Sequence, residues 1–153
     1  MAMIRLPPDF KEFLKLLKEH EVRYLLIGGY AVGYHGYIRA TGDMDIWIAV
    51  QPDNAQKIIA ALHAFGIDDP AITPNVFLQE KKILRMGVPP VRLEITTAIS
   101  GVEFEECYQS RIVDELDGVE VNLIDLENLK KNKQASGRSK DLTDFKKLSG
   151  LEK

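Results

Sequence analysis

Apolar positions recur along this chain with two periods, and the switches between them mark out its elements. After Pro7-Pro8, Phe10, Phe13, Leu14, Leu16 and Leu17 fall at helical spacing. That spacing predicts an amphipathic helix to about Glu19, with Asp9 as its N-cap. Tyr24 to Ile27 is a short apolar run stopped by Gly28-Gly29, which predicts a strand, a tight turn and a helix from Tyr30 to His35. Asp43 to Val50 alternates and predicts a second strand, bounded by Thr41-Gly42 and Gln51-Pro52. Asp53 is placed to cap a helix through Phe65, with Ile58, Ile59, Leu62 and Phe65 on its buried side and Gly66 ending it.

Residues 67–80 are turn-rich and read as a loop. Strands are predicted at Lys82 to Met86 and Val91 to Thr97, paired as a hairpin about a turn from Gly87 to Pro90. A short helix over Glu103 to Tyr108 follows, and then Ile112 to Leu116 and Val119 to Leu123 flank Asp117-Gly118, a strong hairpin turn. Asp125 caps a helix to about Ala135, Ser136-Gly137 breaks it, and Lys140 to Leu148 forms the last helix. No repeat, low-complexity tract or linker interrupts this order. The pattern predicts one α+β domain over residues 1–153.

With 153 residues and 45% hydrophobic positions, the chain is long enough for a real core. The lone Cys107 excludes an internal disulfide and reads as a small hydrophobe. The most apolar run, Tyr24 to Tyr34, is too short to span a bilayer and holds three glycines. An N-terminus reading MAMIRLPPDF has Pro and Asp where a secretory peptide needs its apolar stretch, so a cytoplasmic protein is expected.

The net charge of −3 speaks against a protein that coats nucleic acid, but it conceals a division. Residues 130–147 hold seven basic side chains against two acidic ones, a segment of +5 on a body of −8. That division points to an anionic ligand or to a solvated lysine face.

The chemistry concentrates in GGYAVGYHGYIRATGDMDIWI, residues 28–48. On a strand, Asp43, Asp45 and Trp47 share one face while Met44, Ile46, Ile48 and Val50 share the other, which reads as the core face. Two carboxylates about 7 Å apart on one face of an otherwise apolar strand are costly without a cation. Val91 to Thr96 alternates likewise and puts Arg92, Glu94 and Thr96 on one side. If that strand lies beside the first, Glu94 joins Asp43 and Asp45, and three hard oxygen ligands suit Mg²⁺. Gly28-Gly29 would let backbone N–H groups approach phosphate oxygens. Arg39 and Thr41 stand ready to reach a triphosphate, although Arg39 reads equally as a surface charge. Lys133, Arg138 and Lys140 form an exposed basic cluster for triphosphate or acceptor, oriented by Asp141 and Asp144. His35 closes a helix, and Trp47 reads as a half-buried aromatic beside the site.

Together, the apolar strand, Gly28-Gly29, Ala31, His35-Gly36, Arg39, Thr41 and Asp43-Met44-Asp45-Ile46 resemble the polymerase-beta-type nucleotidyltransferase superfamily. Gly87-Val88-Pro89-Pro90-Val91-Arg92-Leu93-Glu94 and Ser100-Gly101-Val102-Glu103-Phe104 extend that resemblance. The tail, with Leu126, Leu129, Lys133, Ser136-Gly137-Arg138, Lys140-Asp141 and Asp144, resembles small bacterial members related to abortive-infection and toxin–antitoxin nucleotidyltransferases. The resemblance implies a mixed β-sheet with helices packed on one face, a catalytic core at about 10–124 and C-terminal helices at about 125–149. It implies Asp43, Asp45 and Glu94 as catalytic metal ligands for Mg²⁺ or Mn²⁺. Gly28, Gly29, Arg39, Thr41, Lys133, Arg138 and Lys140 would bind nucleotide, ATP or another NTP.

The implied reaction moves an NMP from an NTP to a hydroxyl of RNA, protein or a small molecule, with a cognate partner protein if the chain is a toxin–antitoxin component. Two departures stand out: many members carry Ser where this chain has Gly29, and the third acid is Glu rather than Asp. They keep open an alternative, a catalytically weak nucleotide-binding or antitoxin-like partner-docking module of the same fold.

Overall fold

A computed structural model describes residues 4–88 and 91–151. The first helix, α1, runs Pro8–Glu19 and leads to strand β1, Tyr24–Ile27. Helix α2, Gly28–Tyr34, opens directly at the glycines, and β2 follows at Asp43–Ile48. Next come α3, Pro52–Phe65, and a 3₁₀ turn at Pro74–Leu78 inside the expected loop. Strands β3, Ile83–Val88, and β4, Val91–Thr96, form the expected antiparallel hairpin, although Pro89 and Pro90 of its turn lie outside the described residues. Helix α4, Phe104–Gln109, precedes the β5–β6 hairpin, Ile112–Leu116 and Val119–Leu123. Asp117 and Gly118 both have positive φ, +49° and +82°, the backbone of a tight two-residue hairpin turn. Helices α5, Leu126–Ser136, and α6, Ser139–Leu151, end the chain.

The six strands make one mixed sheet in the order β3-β4-β2-β1-β6-β5. β2 runs parallel to β4 and antiparallel to β1, and β1 runs parallel to β6. On the core face Leu26, Met44, Ile46 and Ile48 are fully buried, in one cluster with Phe10, Phe13, Leu14 and Leu17 of α1 and Ile58 and Leu62 of α3. Truncating any one of these aliphatic side chains to Ala should cost about 2 to 5 kcal/mol. Cys107 is fully buried, and burial pushes its thiol up to about 12, so it is an inert core group as expected.

Three details differ from the sequence expectation. Asp9 and Asp53 do not cap: Pro8 and Pro52 occupy the first helical positions, so the caps fall on Pro7 and Gln51 and the acids sit one residue inside. There they favour the helix dipole instead of accepting an N–H. Asp125, with no proline after it, does cap, accepting from the Asn128 N–H. β2 stops at Ile48, leaving Val50 41% exposed instead of in the core. Trp47 is completely buried, not half-buried, because Phe104 of α4 packs edge-on against it at 5.2 Å between centroids. The indole N–H of Trp47 has no hydrogen-bond partner among the described residues, and Trp47 is closed off from any ligand.

Candidate active site

The parallel register of β2 and β4 sets Arg92 opposite Asp43 and Glu94 opposite Asp45. One oxygen from each of Asp43, Asp45 and Glu94 lies within 4.8 Å of the others. Three like charges converging this closely need compensation, and two arginines of β3 and β4 supply part of it. Arg92 donates from Nε and Nη2 to the two oxygens of Asp43 at 2.9 and 2.8 Å. Arg85 of β3, opposite Glu94 in the hairpin, donates from Nε to Glu94 at 3.1 Å.

Asp45 has no arginine partner among the described residues. Burial, reinforced by the charges of Glu94 and Asp43, pushes its carboxyl up to about 6, with Lys133 and Lys140 pulling the other way. A dication placed among these acids would relieve that strain, and carboxylate oxygens on two adjacent strands are the donors a hard divalent cation takes. The residues therefore fit Mg²⁺ or Mn²⁺.

The two glycines meet this cluster from β1. Gly28 has φ +68°, and a Cβ there would stand 2.0 Å from Oδ2 of Asp45. Glycine at position 28 is thus required both by the turn and by the close approach of the metal-ligand candidate. A Cβ on Gly29 would meet the Thr41 side chain, 2.7 Å from its Cβ and 2.8 Å from its Oγ1. The departure from Gly-Ser has a physical reason: the place a serine side chain would take is filled by Thr41, whose hydroxyl donates to the Asp43 carbonyl at 3.1 Å.

The C-terminal cluster behaves differently from the exposed basic face expected of it. Lys133 is buried, its side chain 7% exposed, and its ammonium lies 3.0 Å from Asp141 and 3.3 Å from Asp144. Arg39 is no surface charge either: it donates from Nε and Nη2 to both oxygens of Asp144 at 2.9 and 2.8 Å. Asp141 also accepts from Ser136 Oγ and from Arg138 Nε. Burial alone would raise the Asp141 carboxyl, but the bonds from Ser136, Lys133 and Arg138 outweigh it and hold the carboxyl below its ordinary range. Asp141 and Asp144 do orient the basic residues, and in doing so neutralise them. Only the rim stays open: Arg138 is 80% exposed, and Lys140 has no ion pair among the described residues. His35 closes α2, its Nε2 lying 2.8 Å from the Ile124 carbonyl.

A single cleft of about 580 Å³ brings these groups together. Gly28, Gly29, Arg39, Thr41, Asp43, Asp45, Glu94, Lys133, Arg138 and Lys140 all line it. So do Arg85, which sequence reasoning left out, and Arg92, which it set beside the acids without giving it a role in binding. The signal for Arg92 was available, since it precedes Glu94 by two on the same strand face. Ile83 and Ile99 add apolar lining to the cleft.

No family model matches the sequence, and no curated protein matches it. Solved structures do. A nucleotidyltransferase candidate from Thermotoga maritima, TM1012, superposes with a TM-score of 0.61 at 15% identity, over 93% of this chain and 91% of its own. The antibiotic-resistance factor ANT(2'')-Ia gives 0.59 at 13% identity, over 95% of this chain and 83% of its own. The lincosamide antibiotic adenylyltransferase LnuA, solved with lincomycin bound, gives 0.56 at 17% identity, over 94% and 96%. The fold of this chain, a mixed six-stranded sheet with helices, is thus shared with a nucleotidyltransferase candidate and an antibiotic adenylyltransferase.

Proposed function

We propose that this chain is a metal-dependent nucleotidyltransferase that moves an NMP from an NTP to a hydroxyl acceptor. The observation that carries the reading is the convergence of Asp43, Asp45 and Glu94 in a cleft that also holds Gly28, Gly29, Thr41 and the basic rim. Asp43, Asp45 and Glu94 would hold Mg²⁺ or Mn²⁺, which when bound neutralises the triphosphate and makes the acceptor hydroxyl easier to deprotonate. Gly28 and Gly29 keep the backbone bare where the nucleotide approaches. Thr41 fills the space beside Gly29, where many members of the class carry a serine. Arg138 and Lys140, at the open rim, attract the anionic substrate, and Arg39 and Lys133 shape that rim through their acids.

The acceptor hydroxyl attacks the α-phosphorus in line and pyrophosphate leaves. Positioning and charge stabilisation supply most of the rate in such transfers. The whole chain acts as one domain, its core at about 10–124 and its C-terminal helices at about 125–149 over the cleft. The acceptor is most economically a small molecule, as in the lincosamide enzyme of the same fold, bound against the apolar lining of Ile83 and Ile99. In a toxin–antitoxin setting the hydroxyl would belong instead to a partner protein or RNA, in the cytoplasm.

Labelled NTPs incubated with Mg²⁺ and cell extract test the reading. Label should pass to a product with wild type and not with Asp45→Asn. A second reading, a nucleotide-binding subunit without turnover, draws on the arginine pairs that already satisfy Asp43 and Glu94. Retained nucleotide with no transfer to small molecules, RNA or protein would establish it over the first.

A further inference from the structure

The cations in the cleft differ in what they are free to do. Arg39 and Lys133 are tied to Asp144 and Asp141, with side chains 15% and 7% exposed, and a nucleotide could draw either away only by leaving those buried acids with a counter-ion fewer. Arg92 is held differently. Its side chain is 32% exposed, and its only hydrogen-bond partner among the described residues is Asp43, itself 26% exposed. Across β3 it faces Gly87, which has no side chain to hold the guanidinium in place. Its fork covers both oxygens of the carboxylate that a cation would need.

Building on the metal-site reading above, we propose that Arg92 is a nucleotide-positioning residue that exchanges partners. It holds Asp43 while the cleft is empty, and it turns to the triphosphate when a divalent cation takes that carboxylate. A dication arriving beside Asp43 and Asp45 repels the guanidinium and removes its counter-ion in one event. The released arginine then stands at the cleft wall next to Asp43, where a metal-bound triphosphate brings several negative charges. A planar two-donor fork that fits a carboxylate fits a phosphate equally well. Arg85 is the poorer candidate, more than half exposed on the edge strand and joined to Glu94 by a single bond. The exchange also orders the events: phosphate gains this ligand only after metal has entered.

The experiment is calorimetric titration, first with Mn²⁺ alone and then with inorganic tripolyphosphate in saturating Mg²⁺, of wild type, Arg92→Gln, Arg92→Lys and Asp45→Asn. Melting curves confirm that each is folded. Because a partly exposed ion pair contributes at most about 1 kcal/mol, Arg92→Gln should bind Mn²⁺ about three- to fivefold more tightly than wild type. It should bind tripolyphosphate about tenfold more weakly, with Arg92→Lys recovering part of that loss. Unchanged or weaker Mn²⁺ binding in Arg92→Gln overturns the exchange, and so does unchanged tripolyphosphate affinity. If wild type and Asp45→Asn take up Mn²⁺ equally, the metal-site reading itself falls, and the exchange falls with it.

Discussion

Two clusters of opposite charge face each other across the cleft, and they are built on different terms. In the C-terminal cluster, Lys133, Arg39 and Arg138 meet Asp141 and Asp144, and the two acids and Lys133 are almost wholly buried. Each of its buried charges has a partner. In the strand cluster, three carboxylates meet two arginines, all are partly exposed, and among the described residues Asp45 has no cation bonded to it. A closed network of matched charges holds helices in place. An open one with an acid left over has the donors to take a cation. The lesson is that a basic cluster read from charge alone conflates the two, and only partner geometry separates them.

The sharpest way to break the comparison is to remove a partner from the closed side. Lys133→Ala leaves Asp141 and Asp144 buried with one counter-ion fewer, and breaking such a pair costs about 3 to 5 kcal/mol. A large fall in the denaturation midpoint is expected, in place of the small cost that an exposed lysine would carry. Retention of wild-type stability would place Lys133 on a solvated face after all.

On the open side the sign reverses. Asp45 is raised from its ordinary value to about 6, so the folded chain holds this proton more tightly than the unfolded chain does. Stability from this group is therefore greatest below about pH 4 and is lost as pH rises to about 6, a difference of roughly 2 to 3 kcal/mol for a shift of about two pH units. Asp45→Asn in EDTA should be more stable than wild type by about that amount at pH 7 and equal to it at pH 4. Asp43→Asn should not share the gain, because Asp43 already has Arg92. Denaturant titration of the three proteins across this pH range checks both statements.

Smaller effects sharpen the contrast at the glycines. Gly28→Ala forces a left-handed backbone and a clash with Asp45, and should cost about 1 to 3 kcal/mol. Gly29→Ser meets the Thr41 side chain first, so its cost should shrink markedly in combination with Thr41→Ala, a coupling read from a double-mutant cycle. Arg138→Ala, at the exposed rim, should change stability by less than about 1 kcal/mol while weakening tripolyphosphate binding.

What could be read from the chain before its structure follows from the range of the forces involved. The carboxylate face of β2 and the position of Glu94 were legible because strand alternation is a local rule and the Asp-x-Asp pair breaks an apolar run. The hairpin at Asp117-Gly118 was legible because the turn type demands those residues. The caps at Asp9 and Asp53 misled because a following proline takes the first helical position. Burial of Trp47 depends on Phe104, and the Arg39–Asp144 pair joins residues 105 apart in sequence. Such contacts are set by tertiary packing, which leaves no periodic mark. Thr41 filling the space above Gly29 belongs to the same class.

The central claim is that Asp43, Asp45 and Glu94 form a divalent-metal site, and thermal melting tests it most directly. Wild type and Asp45→Asn are each melted in EDTA and in excess Mg²⁺ at pH 7. Metal at about 100 times its dissociation constant stabilises a folded protein by about 2.7 kcal/mol, a rise of several degrees for a domain of this size. The account predicts that Mg²⁺ raises the melting temperature of wild type and leaves Asp45→Asn where EDTA left it. An equal shift in both proteins, or Asp45→Asn melting well below wild type in EDTA, would contradict it and make Asp45 a structural residue.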